Sequence, residues 1–183
     1  MDERILTLAK NLVHYSCKVG PGDRVQVHYT GSDTESLARQ IIKEIYLAGG
    51  TAYPVYTNPR VHREMLLGCT EEQLRLMARS DALTMSQMDC YIGIRGAENV
   101  SEYADVPAEK LALYDTFYST PVHHEIRVPK TRWVVLRYPN SSMAQLSNTS
   151  LEAFEDFYFQ VCNLDYSKME QAMRPLVALM NRT

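Results

Sequence analysis

The sequence predicts an α/β domain of Rossmann-like, three-layer kind, a mostly parallel sheet of about four or five strands flanked by helices. Three observations predict it. Strand-like runs beginning at Arg24, Thr51, Asp89 and Thr131 alternate with segments of helical periodicity. Capping spellings and Gly or Pro stops punctuate the boundaries between them. The length, 183 residues, is enough to bury one large core without staples. Residues 1–183 are therefore expected to form a single domain.

The first helix is expected over residues 2–18, where Ile5, Leu8, Leu12, Tyr15 and Val19 recur at steps of three and four. Gly20-Pro21-Gly22-Asp23 stops it and turns the chain. Residues 24–29 alternate apolar with polar or amphipathic side chains and give the first strand. Ser32-Asp33-Thr34-Glu35 spells a capping box, in which hydroxyl and carboxylate satisfy each other's free backbone donors. The helix it opens runs through Leu37, Ile41 and Ile45 to Ala48-Gly49-Gly50, where glycine supplies a left-handed cap. Residues 51–56 form the second strand, and Pro54 assigns it to an edge because an interior ladder would miss its donor.

A short helix over residues 59–67 follows, and a second capping box, Thr70-Glu71-Glu72-Gln73, opens a longer one toward Met88. Residues 89–95 are the third strand, residues 107–118 are helical, and residues 122–128 are ambiguous. Residues 131–138, Thr-Arg-Trp-Val-Val-Leu-Arg-Tyr, hold the only Trp and four consecutive apolar residues, the run expected of a central strand covered on both faces. Pro139 ends its pairing. Thr149-Ser150-Leu151-Glu152 caps a helix through Phe154, Tyr158 and Val161, and a last helix carries Met169, Met173, Leu176 and Met180 with Pro175 as a kink point. The expected strand order is 2-1-3-4. Ligands on such sheets bind beyond the carboxyl ends where the order reverses, so the loops over residues 29–34 and 95–99 should meet at the site.

Formal charge is −3 from 19 basic and 22 acidic side chains that are interspersed, so no basic footprint argues for nucleic acid. Cys17, Cys69, Cys90 and Cys162 lie far apart, without a Cys-x-x-Cys pair or a His at zinc spacing, the pattern of reduced thiols. Asp2, Glu3 and Arg4 stand where a signal peptide would carry a basic region and an apolar core. No apolar run reaches membrane-spanning length. A cytoplasmic protein with neither nucleic-acid nor membrane partners is expected.

Catalytic and metal-ligating residues are not visible. His123-His124-Glu125 carries ligand types, but adjacent side chains diverge on helix and strand alike and cannot chelate as a unit. His14, His28 and His62 are isolated and read as core-edge or surface residues. Gly20-Pro21-Gly22 lacks the strand-before-helix context of a dinucleotide fingerprint, and neither a phosphate-loop run nor a Gly-x-Ser-x-Gly elbow occurs. Gly93-Ile94-Arg95-Gly96-Ala97-Glu98-Asn99 is better placed, because it leaves a strand at the expected ligand edge. Arg95 could hold a carboxylate or phosphate through a forked pair of hydrogen bonds, or pair with Glu98 and organise the loop. Arg95, Glu98 and Asn99, with Tyr29 and Tyr138 at the ends of the first and fourth strands, are the candidate cavity-lining or ligand-binding residues. The twelve tyrosines, Tyr114 and Tyr118 among them, fit core edges better than an aromatic binding surface.

A further set of residues carries a resemblance. Tyr15 with Val19 and Pro21-Gly22-Asp23 precede the first strand, Ala48-Gly49-Gly50 follows its helix, and Tyr56 and Ile94-Arg95 with Ala97, Glu98 and Asn99 come next. Above all there are Arg132-Trp133-Val134-Val135, Tyr138-Pro139 and Met143-Ala144-Gln145, continued by Leu151-Glu152-Ala153-Phe154-Glu155 and residues 162–165. On these the chain resembles the amino-terminal domain of the thermophilic-aminopeptidase family, metallo-aminopeptidases of the aminopeptidase T, aminopeptidase S and PepS type, over nearly its whole length. The resemblance implies an enzyme that removes amino-terminal residues from peptides with two divalent metal ions, zinc or cobalt. It assigns the Glu, His, Tyr and Asp metal ligands to a separate carboxyl-terminal domain, so no metal, cofactor or catalytic residue is carried onto this chain. The chain would be the non-catalytic part of a longer, homodimeric enzyme, covering the active-site cavity and supporting assembly, and inactive alone. The alternatives are a stand-alone α/β module binding a small ligand, or an interaction domain marked by an exposed apolar face on its last helix.

Overall fold

The computed structural model describes residues 2–182. Four parallel strands, β1 (Arg24–Thr30), β2 (Thr51–Thr57), β3 (Cys90–Arg95) and β4 (Arg132–Arg137), make one sheet in the order β2-β1-β3-β4. Order and direction are those the sequence predicts. The register is unbroken: Val27 lies opposite Pro54 on one side and Ile92 on the other, and Ile92 opposite Val134. Pro54 thus sits on a strand with a single neighbour, where a residue without an N–H is tolerated.

β4 is not the central strand its apolar run suggests. It forms the other edge, and Trp133 is 44% exposed. What shields that ring is the Arg127 guanidinium, 4.7 Å from its centroid. The strand buried on both faces is β3, where residues 90–94 are all buried.

The two faces of the sheet are packed differently. Toward one face point Val25 and Val27 of β1, Cys90, Ile92 and Ile94 of β3, and Val134 and Leu136 of β4. They meet α1 (Glu3–Lys10), α2 (Glu35–Leu47) and α8 (Leu151–Cys162), which contribute Leu8, Leu37, Ile41, Ile45, Phe154 and Phe159. This is the main core, and each fully buried Leu or Ile in it contributes about 1.5–3 kcal/mol. α1 continues over Asn11–Ser16 in wider turns that bond five residues back, the Cys17 N–H reaching the Leu12 carbonyl at 3.0 Å.

The start of α2 differs from expectation. Ser32 does not cap it, because its hydroxyl donates to the Glu98 carboxylate at 2.8 Å and Ser32–Thr34 form a tight 3-10 turn after Gly31. Thr70 does cap α4 (Glu71–Met85), accepting from the Gln73 N–H.

The opposite face is covered by α3 (Pro59–Gly68), α4 and a long helical segment. That segment begins as α5 (Ala108–Tyr114), continues in wide turns over Asp115–Arg127 and closes as α6 (Val128–Lys130). Residues 122–128, ambiguous in the sequence, are therefore helical. Pro121 has no N–H and crowds an α-turn; the turns around it widen, and the Val128 N–H bonds the His123 carbonyl five residues back. The apolar cluster on this side is small: Ala78, Met85, Tyr91 and Val122, with Tyr118, Ile126 and Val135 against it. Two further helices complete the chain. α7 (Ser141–Leu146) is capped by Asn140, whose side chain accepts from the Met143 N–H, and α9 (Tyr166–Met180) has no buried residue.

Candidate functional site

Alternation along the strands selects which side chains face the second layer: Gln26, His28 and Thr30 from β1, Val55 and Thr57 from β2, Tyr91, Gly93 and Arg95 from β3, Val135 and Arg137 from β4. These do not fill the space beneath the helices. A cavity of about 890 Å³ remains, roofed by Tyr114, Tyr118, Val122, His123 and Arg127 of the long helical segment. Their spacing, in steps of four and five, is the one a wider turn needs to keep a single stripe inward. Asp81 of α4, His62 of α3 and Tyr103 close the sides. Gly93 keeps the floor open: a Cβ there would lie 3.0 Å from the Tyr91 ring and 3.1 Å from the Val135 side chain.

The lining is a connected polar-aromatic network. His28 Nδ1 lies 3.0 Å from the Tyr91 hydroxyl and its Nε2 2.8 Å from Thr57 Oγ1. His62 Nδ1 is 3.1 Å from the Tyr103 hydroxyl, and the Tyr118 hydroxyl donates to Asp81 at 2.6 Å. Arg127 Nε donates to His123 Nδ1 at 3.3 Å, which leaves that nitrogen unprotonated. Ring contacts join the hydrogen-bonded pairs: Tyr114 stacks on Tyr118 with centroids 4.9 Å apart, His62 meets Tyr114 at 5.2 Å, and His123 meets Tyr91 at 6.1 Å.

Burial sets the charge states. It lowers His28 to about 4, with His62 and Arg95 nearby acting in the same direction. It lowers His123 to about 4 as well, aided chiefly by the Arg127 cation, and depresses His62. The phenols of Tyr91, Tyr114 and Tyr118 are pushed up by burial and stay protonated. The lining thus sets the guanidiniums of Arg95, Arg127 and Arg137 against a single carboxylate, that of Asp81.

These residues do not fit a pair of divalent metals. Both ring nitrogens of His28 are engaged, as are Nδ1 of His62 and of His123 and the carboxylate of Asp81. Among the described residues no group of three or more His, Cys, Asp or Glu side chains converges on a metal position. Nor is any helix among them long and apolar enough to cross a membrane.

Of the residues singled out in the sequence, Arg95, Asn99 and Tyr138 border the cavity, while Tyr29 and Glu98 lie outside its lining. Tyr29 falls on the other parity of β1 and packs against Tyr56, 5.2 Å away, and the main core. Glu98 accepts from Ser32 and lies 3.8 Å from Arg60, so it is not the partner of Arg95. The Asn99 amide is spent locally, accepting from the Ser101 N–H and donating to Glu102. The Tyr138 ring is buried edge-on to Phe159, with its hydroxyl 3.3 Å from Ser36 Oγ. His28, His62, Tyr91, His123, Arg127 and Arg137, the bulk of the chemistry here, are not signalled by any motif. The signal available was strand parity: Gln26, His28 and Thr30 share a polar face, as do Tyr91 and Arg95, and a three-layer fold must cover that face.

The profile of the thermophilic metalloprotease (M29) family matches residues 1–178. The chain belongs to this family. Among solved structures this M29 chain is similar to wild-type AmpT from Thermus thermophilus, with 14% identity and a TM-score of 0.72, over 94% of this chain and 46% of AmpT. It thus spans less than half the length of AmpT, and the likeness is one of fold. It also aligns with a CurK enoyl reductase at 11% identity and a TM-score of 0.35, covering 85% of this chain and 48% of that one. An alcohol dehydrogenase superfamily protein from Novosphingobium aromaticivorans aligns at 11% identity and a TM-score of 0.36, over 90% and 49%. No functionally curated protein matches.

Proposed function

We propose that this M29 chain is the non-catalytic amino-terminal domain of a cytoplasmic, metal-dependent aminopeptidase that removes amino-terminal residues from peptides. The observation that carries the reading is a family match over residues 1–178 in a chain that spans 46% of AmpT. In this reading two divalent ions, zinc or cobalt, are held by a carboxyl-terminal domain, where they supply the activated water and the polarised carbonyl. The present domain covers the active-site cavity and supports assembly into a homodimer. Support for that division comes from both ring nitrogens of His28, Nδ1 of His62 and of His123, and the Asp81 carboxylate, all committed to hydrogen bonds within this domain. Support for assembly comes from α9, whose Met169, Met173, Leu176 and Val177 expose an apolar stripe of the kind that another domain or subunit covers.

The test compares two proteins. Residues 1–183 with added cobalt or zinc should leave an aminoacyl-anilide intact, whereas the longer protein carrying the carboxyl-terminal domain should cleave it. Cleavage by the short chain would overturn the non-catalytic role, and failure of the metal-loaded longer protein would overturn the aminopeptidase reading.

A further inference from the structure

The cavity carries three guanidiniums and no free carboxylate to meet them. Arg95 and Arg137 are register partners at the carboxyl ends of β3 and β4, and both line the cavity. Neither side chain makes an ion pair or hydrogen bond with another described residue. Arg127 enters from the roof, its guanidinium over the rings of Tyr91 at 5.1 Å and Trp133 at 4.7 Å. Its Nε is used by His123, but its Nη1 is buried without any hydrogen-bond partner. A buried donor on a cation is costly to leave unmade, and such groups are normally satisfied. Asp81, the one carboxylate in the lining, is already held by Tyr118. Arg95 also stands near enough to Arg127 for their like charges to oppose each other.

The rest of the lining is aromatic. Tyr91, Tyr114, Tyr118 and His123 present ring faces and edges, and the missing side chain of Gly93 leaves the floor open between them. The volume of about 890 Å³ falls in the range of small-molecule sites, about 300–1,000 Å³. The cavity lies over one face of the sheet and reaches the carboxyl ends of β3 and β4 at Arg95 and Arg137, the edge at which such sheets bind ligands.

We propose that this cavity binds a small aromatic oxyanion, a planar ring bearing a carboxylate or phosphate, with Arg95 and Arg137 as the anion donors and the Arg127 cation adding its charge from the roof. The ring lies among the tyrosines and His123, and the anion takes up the hydrogen-bonding capacity that the protein itself leaves unused. The site is defined by this chain's own residues and does not rest on the aminopeptidase reading.

Isothermal titration calorimetry of the 183-residue chain near neutral pH tests it with three probes of similar ring size: 4-hydroxybenzoate, phenyl phosphate and tyramine. At least one of the two anions should bind with a Kd of about 1 mM or tighter and tyramine should not, the better anion telling carboxylate from phosphate. Arg95→Gln and Arg137→Gln should each weaken that binding about tenfold or more, with the unfolding midpoint unchanged because both side chains are exposed and unpaired. The proposal is overturned if neither anion binds up to about 10 mM, if tyramine binds as well as the anions, or if both Gln variants bind as the parent does. The tyramine comparison needs only the parent chain, so the outcome does not depend on how the variants fold.

Discussion

His28 shows how much one side chain can decide. Its two ring nitrogens tie the hydroxyls of Tyr91 and Thr57, and so link β1 to both of its neighbours on the cavity face. A neutral imidazole offers one donor and one acceptor, which is what two hydroxyls need. Replacing it by Phe keeps the ring and strands both hydroxyls, an expected cost of about 1–3 kcal/mol at neutral pH by urea unfolding; an unchanged midpoint would show that water satisfies them equally well. The same burial that keeps His28 and His123 neutral makes the fold acid-sensitive. Their pKa values are held at about 4 in the folded chain against 6.5 unfolded, so as pH falls the unfolded chain takes up protons that the folded chain refuses. Stability should be complete above about pH 6.5 and fall progressively down to about pH 4. His28→Phe should flatten that fall, since Phe cannot be protonated. A urea midpoint that stays level across this window in the parent chain would contradict the assignment of both histidines as buried and neutral.

At the level of elements, what could be read ahead of the structure was whatever depends on local pattern. Leu37, Ile41 and Ile45 recur on one stripe and are fully buried, and Pro54 marks an edge because a missing N–H is a local fact. Elements that depend on long-range partners escaped. Ser32 has the spelling of a cap, but Glu98, 66 residues on, takes its hydroxyl. The apolar run of β4 looks central, yet no strand lies beyond it, and a cation from a helix stacks on the Trp133 ring, which stays partly exposed. The wide turns around Pro121 have a period that neither the helix nor the strand template contains. The site was half legible for the same reason: Arg95 could be placed from its strand end, whereas the roof residues come from those wide turns. The loops leaving β1 and β3 approach each other closely at two glycines. Gly31 has φ +82°, and a Cβ on it would lie 2.1 Å from the Gly96 carbonyl oxygen. Gly31→Ala therefore has to push two backbones apart as well as adopt a disfavoured conformation, and should cost more than about 2 kcal/mol in urea unfolding. A loss below about 0.5 kcal/mol would mean that these loops are not in contact.

For the molecule as a whole, the decisive asymmetry is between what the sheet buries and what it leaves open. One face is filled with Val, Ile and Leu, the other encloses a polar cavity, and α9 buries nothing. α9 is attached chiefly through its first residue: the Tyr166 ring stacks on Tyr15 at 5.3 Å, its carbonyl accepts from the Tyr15 hydroxyl and its own hydroxyl donates to the Cys162 carbonyl. Beyond that turn, Met169, Met173 and Leu176 recur at steps of four and three on one exposed stripe, while Arg174 pairs with Glu170. A helix with its apolar face in water is stabilised by whatever covers it, and a second copy of the same chain is the partner always present. The isolated chain should therefore self-associate with rising concentration in sedimentation velocity. Met173→Glu combined with Leu176→Glu should return it to a monomer, because both side chains are exposed and placing charges in a dimer contact is costly. The unfolding midpoint of the monomeric variant should match that of the parent at low concentration, since nothing in the main core is touched. A parent chain that stays monomeric at every concentration, or a double variant that associates equally well, would remove α9 from the assembly surface and with it the structural support for a homodimer built through this helix.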